Sequence, residues 1–281
     1  MFILILLVVF TSAGLGYSVH NQADSGQLNK QPSRLDSIKQ SKVIRAGYAV
    51  YSPYVQKDLQ TGELSGYSID ITNEIANQMG FKVEYIEGSW QTAIADLKAD
   101  KFDLLIGPLF STIPRAMEID YPTPYSYVSS LAAIVKRGDV RFDSITSLNQ
   151  SDIVISVPQG WFAHEYANKY LTKATIRPYQ DSSGVLALTN VVSGNADIAL
   201  ADSPTVQQYL ENNPNQDVKG LFLDSPIAVS PAGFGIKQGD DQWLNFLSLS
   251  IQVMKTDGTL KQLASKYHLY SLDLETKYLP Q

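Results

Sequence analysis

The amino-acid sequence predicts an α/β protein of two similar lobes, each a sheet flanked by helices. Short β-rich runs alternate with amphipathic helical runs from Lys42 onward. The β-α-β-α-β order occurs once between Val43 and Gly107 and again between Asp152 and Ala201. No low-complexity tract or short-period repeat interrupts either series. Such an order implies a largely parallel sheet with helices on its faces.

The N-terminal segment reads as an address. Phe2 to Phe10 is an apolar run of nine residues, followed by Thr11-Ser12-Ala13-Gly14-Leu15-Gly16. An apolar core followed by small residues is the pattern of a secretory signal peptide, assigned here to residues 1–16. No Lys or Arg precedes the run, so an uncleaved anchor and a wrongly chosen start codon are the alternatives. The run is short of the roughly 20 residues that span a bilayer. Residues 17–41 are polar and read as a linker.

Within the body, Val43 to Ala49 reads as the first strand. Ile69, Ile71, Ile75, Ala76 and Met79 mark one helical face, and Gly80 is its stop. Phe81 to Ile86 is the next strand; Ala93, Ile94 and Leu97 give a helix from about Trp90; Leu104 to Gly107 is a buried strand. In the second series Asp152–Val157, Ala174–Arg177 and Ala196–Ala201 read as strands. Helices follow each, at Gly160–Leu171, near Val185–Val192 and from Pro204. The chain then returns to a strand at Ala232–Lys237 and to helices near Trp243–Met254 and Thr259–Tyr267.

Composition narrows the function classes. With 281 residues, 44% hydrophobic and 18% charged, the chain has enough apolar material to fold without a metal or a disulfide. The net charge of −6 comes with no basic cluster, which argues against a nucleic-acid surface. The absence of cysteine removes disulfides, thiolate metal sites and thiol catalysis.

Several short motifs occur together in one order. They are Gly66-Tyr67-Ser68-Ile69-Asp70-Ile71, then Trp90, Ile94, Leu97, Lys101 and Asp103 at fixed spacing. Thr112-Ile113-Pro114-Arg115 follows, with Asp120-Tyr121-Pro122-Thr123-Pro124-Tyr125 behind it. Further on come Gly194-Asn195-Ala196-Asp197-Ile198-Ala199 with Asp202, and Lys255-Thr256-Asp257-Gly258-Thr259-Leu260. Over Lys42 to His268 the chain thereby resembles the family 3 solute-binding proteins of amino-acid ABC transporters, the periplasmic amino-acid-binding proteins. The resemblance implies a type II periplasmic-binding-protein-like fold: two lobes joined by a two-strand hinge. It places the first lobe at residues 42–127 and 229–281 and the second at residues 128–228. It also implies a ligand cleft between the lobes, a monomer in the periplasm and an ABC permease in the membrane as partner. Neither a cofactor nor a metal is implied, and no nucleic acid.

Arg115 follows the buried strand ending at Gly107, at the strand end where α/β folds bind ligands. A guanidinium grips a carboxylate with two parallel hydrogen bonds, and the resemblance gives Arg115 the ligand's α-carboxylate. Asp202 follows the strand Ile198–Leu200 and receives the α-ammonium by the same resemblance. Its place before Ser203-Pro204 also suits a helix cap. Tyr51 and Trp90 correspond to positions that flank the ligand side chain; core packing is the alternative for both. Thr112 would add a hydroxyl near the carboxylate, and backbone groups at Pro108 and Phe110 would contribute.

Three positions depart from the family pattern. Phe110 stands where many members carry Thr or Ser, and Gly160-Trp161-Phe162 replaces a glycine followed by a small hydroxyl residue. Tyr48 stands where binders of basic ligands often have Asp. This aromatic set favours a ring or a long apolar chain, with cationic ligands second and acidic ones last. The chain is expected to bind rather than catalyse, since no nucleophile elbow, phosphate loop or metal-spaced cluster appears. An exported enzyme similar to cyclohexadienyl dehydratase, using His164-Glu165, is the alternative. A ligand-sensing module for a separate membrane receptor is the third.

Overall fold

The computed structural model describes residues 32–267, apart from Ser182, together with Leu269. The signal peptide assigned to residues 1–16 lies outside the described residues. Most of the linker assigned to residues 17–41 does too, but its last part is a helix, α1 (Arg34–Ser41). The polar composition hid two apolar residues one turn apart: Leu35 and Ile38 are both buried against the core. Ser33 caps the helix by accepting from the Leu35 amide at 3.1 Å. Its hydroxyl also donates to Asp240 at 2.7 Å, which ties α1 to the C-terminal helices.

The first series runs β1 (Val43–Tyr48), β2 (Gln56–Lys57), β3 (Leu64–Ser65), α2 (Tyr67–Met79), β4 (Lys82–Glu87), α3 (Ala93–Lys98) and β5 (Leu104–Phe110). A short helix α4 (Ile113–Ala116) and strand β6 (Ile119–Asp120) lead into the long strand β7 (Tyr127–Lys136). The second series is β8 (Val154–Pro158), α5 (Phe162–Tyr170), β9 (Thr175–Tyr179), α6 (Val185–Val192), β10 (Ile198–Asp202), α7 (Ser203–Asn212) and β11 (Val218–Leu221). Strand β12 (Val229–Lys237) and helices α8 (Asp241–Thr256) and α9 (Thr259–Lys266) complete it.

The strands form one mixed sheet in the order β4-β1-β5-β12-β7-β10-β8-β9, with β6 on β12 and β11 on β7. Pairing is parallel within each half, β1 with β4 and β5, and β8 with β9 and β10. The middle is antiparallel. Val229–Ala232 of β12 pair with Tyr127–Ser130 of β7, before each strand continues into a different half. These two strands are the link between the lobes of the expected α/β fold.

Apolar residues alternate between the faces of each half, because successive strand side chains point to opposite sides. In β7, Leu131, Ala133 and Val135 pack with α5, whereas Ala132 and Ile134 pack with α6 and α7. In β5, Leu104 and Ile106 join the core under α2 and α8, while Leu105 and Leu109 meet α3. Each half therefore has its own pair of cores. Among the described residues no helix is long and apolar enough to cross a membrane.

Candidate ligand-binding site

The carboxyl ends of the parallel strands in both halves converge on one cavity. It has a volume of about 190 Å³ and is walled by Tyr51, Trp90, Pro108, Phe110 and Arg115 from the first half. Gly160 and Trp161 close it from the second. An outer cavity of about 360 Å³ shares Trp90 and Trp161 and adds Glu87 and Asp181.

The two tryptophans are each seated on a glycine of positive φ. Gly107, at φ 125°, lies beneath Trp90, and a Cβ there would come within 2.9 Å of the indole. Gly184, at φ 72°, lies beneath Trp161 in the same way, again at 2.9 Å. Only glycine combines that conformation with so close an approach. Tyr51 completes the wall: its ring meets Trp161 edge-on at 4.2 Å and Trp90 edge-on at 6.1 Å. The alternative of core packing for Tyr51 and Trp90 is met in part, since both also touch the first half's core.

Arg115 reaches the cavity from α4. Thr112 caps that helix, accepting from the Arg115 amide at 3.4 Å. The guanidinium donates to the Phe110 carbonyl at 3.2 Å and to Glu165 of α5 at 3.3 Å. Glu165 is exposed, and its carboxylate reaches from the second half to pair with Arg115. Its neighbour His164 accepts at Nδ1 from the Gly160 amide at 3.1 Å, which holds the ring against the start of α5.

Of the residues singled out for the ligand, Tyr48, Thr112, Phe162 and Asp202 do not border the cavity; Tyr48 is buried in the first half's core, its hydroxyl donating to Glu87 at 3.2 Å. Thr112 positions Arg115 rather than lining the wall. Phe162 turns toward Phe110, ring centroids 5.3 Å apart, and so joins the two halves beside the cavity. Asp202 is completely buried, and the Tyr51 hydroxyl donates to its Oδ2. It occupies the N-cap position of α7, yet its side chain caps no amide. Burial pushes its pKa up to about 7, against the pull of the Tyr51 hydroxyl and the neighbouring Ser129 hydroxyl. Burial, then the adjacent Asp202, likewise raises the Tyr51 hydroxyl well above the ordinary tyrosine range. Arg115 and Asp202 thus come from different halves but do not face one open space.

The sequence reading missed Gln91, Gln159 and Gln180, whose side chains also border the cavity. A signal existed for two of them. Gln159 and Gln180 directly follow β8 and β9, the strand ends where α/β folds place ligand contacts. Among the described residues no group of three or more His, Asp or Glu side chains is placed to hold a metal ion.

Comparison with known proteins places this arrangement. The L-cystine-binding protein of Bacillus subtilis is 25% identical, with 95% of each chain covered. Cyclohexadienyl dehydratase of Pseudomonas aeruginosa is 24% identical, covering 80% of this chain and 85% of the enzyme. The crystal structure of an ancestral amino acid-binding protein, a precursor of cyclohexadienyl dehydratase, superposes with a TM-score of 0.74 at 29% identity. It covers 84% of this chain and 99% of that one. Residues 44–270, which include the whole cavity wall, match one family description. The chain belongs to the bacterial extracellular solute-binding proteins, family 3.

Proposed function

We propose that this solute-binding protein captures an amino acid or a similar small carboxylate in the cavity at Arg115 and delivers it to an ABC permease. The observation that carries the reading is Arg115 itself, a guanidinium facing a cavity otherwise walled by aromatic, aliphatic and amide residues. Phe110 and Glu165 hold the guanidinium from two sides, leaving its remaining donors for a carboxylate. Trp90, Tyr51 and Trp161 offer flat apolar faces, which suit an aromatic or large neutral body.

In this reading residues 42–127 and 229–281 form one lobe and residues 128–228 the other. Strands β7 and β12 are the hinge, and the protein works as a periplasmic monomer after removal of residues 1–16. Ligand bound between the halves stabilises the closed arrangement. Binding rather than turnover is the reading proposed, supported by the pairing of Glu165 with Arg115 and of His164 with a backbone amide. A thermal-shift screen of the protein against amino acids and small organic acids tests the reading. A concentration-dependent rise in Tm for at least one carboxylate, recovered unchanged in mass, supports it. Stabilisation only by uncharged or cationic compounds overturns it, and loss of water from the bound compound would instead favour a dehydratase.

A further inference from the structure

We infer that Tyr51 and Asp202 form a proton-coupled latch across the cleft: without a ligand the closed protein keeps a proton on Asp202, and a ligand's cationic group takes that proton's place. The inference rests on the reading of Arg115 as a carboxylate site and adds how capture at that site responds to pH.

Asp202 ends β10 at 0% exposure, and its Oδ2 accepts the hydroxyl of Tyr51 from the other half. Its Oδ1 has no hydrogen-bond partner among the described residues, and neither have the buried hydroxyls of Tyr54, Tyr127 and Ser129. These groups lie together. Tyr54 is stacked on Tyr51 at 5.6 Å and on Tyr127 at 4.6 Å. Burial first, and Asp202 among their neighbours, raises all three tyrosine hydroxyls well above their ordinary range. Ser129 is near enough to Asp202 to favour its charged form. The elements packed on β10 are β7, β8, α5, α6 and α7, and no cationic side chain from any of them acts on the carboxyl. Arg115 stands at the cavity wall and acts on Tyr127 rather than on Asp202.

A carboxylate out of water with no opposite charge takes up a proton instead. The pKa of about 7 expresses the same balance. The protonated carboxyl donates to a neighbouring hydroxyl oxygen and still accepts from Tyr51. Tyr51 and Asp202 belong to different halves, so opening at β7 and β12 lifts the hydroxyl away and turns the carboxyl to the cleft. A ligand with its carboxylate on Arg115 and an ammonium toward Asp202 then brings the missing charge. The carboxyl O–H bond breaks, the proton passes to water, and the carboxylate accepts from the ammonium. An adjacent cation holds the carboxyl ionised as the halves close. Capture thus releases up to one proton, so affinity rises with pH by up to about tenfold per unit below pH 7 and levels above it. Acidification loosens the ligand. A carboxylate without a cation escapes this coupling.

The test is calorimetric titration of the intact protein with phenylalanine, glutamine and arginine, and with 3-phenylpropionate as the cation-free control. Each is titrated at about pH 5.5 and 7.5, in buffers of low and high ionisation enthalpy. An amino acid that binds should do so at least about tenfold tighter at the higher pH, and its heat at the lower pH should depend on the buffer. The control should change less than about threefold. Asp202→Asn, checked by its melting curve, should lose both the pH dependence and the buffer dependence. Tyr51→Phe removes a hydrogen bond that favours the ionised form, so it should move the midpoint of the pH profile upward. Equal affinity at both pH values with equal heats in both buffers overturns the inference and leaves the carboxylate reading standing. So does binding of 3-phenylpropionate but of no amino acid. A pH dependence that persists in Asp202→Asn places the proton elsewhere and also overturns it, and an unmoved midpoint in Tyr51→Phe removes Tyr51 from the latch. If no carboxylate binds at either pH, the carboxylate reading falls first and this inference with it.

Discussion

The two halves of the cleft share one steric plan and differ in their charges. Each presents a tryptophan seated on a positive-φ glycine, Trp90 on Gly107 and Trp161 on Gly184. Each also carries an ionisable side chain just beyond a strand end or at it, Arg115 and Asp202. The first remains at the cavity wall, whereas the second is sealed beneath Tyr51. Apolar scaffolding can thus be built twice over while the two charges are placed differently, Arg115 at the cavity wall and Asp202 beneath Tyr51.

The largest expected effect breaks the comparison from the first half. Arg115→Ala should lower affinity for a carboxylate at least about 30-fold, since truncating one partner of a desolvated charge pair costs roughly 2–5 kcal/mol. The fold should survive, because Arg115 is half-buried and its side chain bonds only to the Phe110 carbonyl and to exposed Glu165. Calorimetry and a melting curve on the same sample check both halves of the statement. Wild-type affinity in Arg115→Ala would remove the charge asymmetry altogether.

The second effect concerns Asp202 and pH. Its folded pKa of about 7 lies above its ordinary value of 3.8. The folded state therefore holds this proton more tightly than the unfolded one. The stability it confers is complete below pH 4 and is lost as pH rises toward 7, at about 1.4 kcal/mol per unit. Asp202→Asn removes that slope, so the variant should gain on wild type between pH 4 and pH 7 and keep a constant lead above. Urea midpoints across this range read the difference directly. Parallel curves would show an Asp202 open to solvent and restore the symmetry of the two halves.

Much of this architecture is visible in the letters because helix and strand periods differ. Ile69, Ile75, Ala76 and Met79 announced α2, and Gly80 ended it in the left-handed conformation at φ 67°. Helix α6 occupies the interval expected for it, Val185–Val192. Strand β7 had no such signature: Tyr127–Val135 is buried on both faces, so no polar residue marks a period of two. Helix α1 was hidden by polar neighbours around Leu35 and Ile38. At the site, the local motif located Arg115, Tyr51 and Trp90. What it could not give was who pairs with whom across the cleft. The Tyr51–Asp202 and Arg115–Glu165 contacts span 151 and 50 residues and depend on how the halves meet.

The third effect tests whether the two tryptophan seats are equivalent. Gly184→Ala forces an L-residue into the left-handed region, at roughly 1–2 kcal/mol, and drives its methyl into Trp161. Gly107→Ala does the same beneath Trp90. Both should lower Tm by a few degrees and weaken binding of an aromatic carboxylate by a similar factor. If only one weakens binding, the ligand leans on that tryptophan alone.

The smallest effect concerns the acid that the second half places on Arg115. Glu165 is the acid nearest the guanidinium, 3.3 Å from Arg115, with its side chain 44% exposed. An ion pair so open to water contributes only about 0–1 kcal/mol, so its loss should barely move the melting curve. Its effect on binding should have the opposite sign from that of Arg115→Ala. A ligand carboxylate has to share Arg115 with Glu165, and the two negative charges repel. Glu165→Gln removes the repulsion but keeps an amide that can still contact the guanidinium. Affinity should therefore rise by about two- to fivefold, more at low ionic strength, because added salt already screens an exposed carboxylate beyond roughly 10 Å. Calorimetry at low and moderate salt measures it. A fall in affinity would mean that Glu165 itself holds a donor on the ligand.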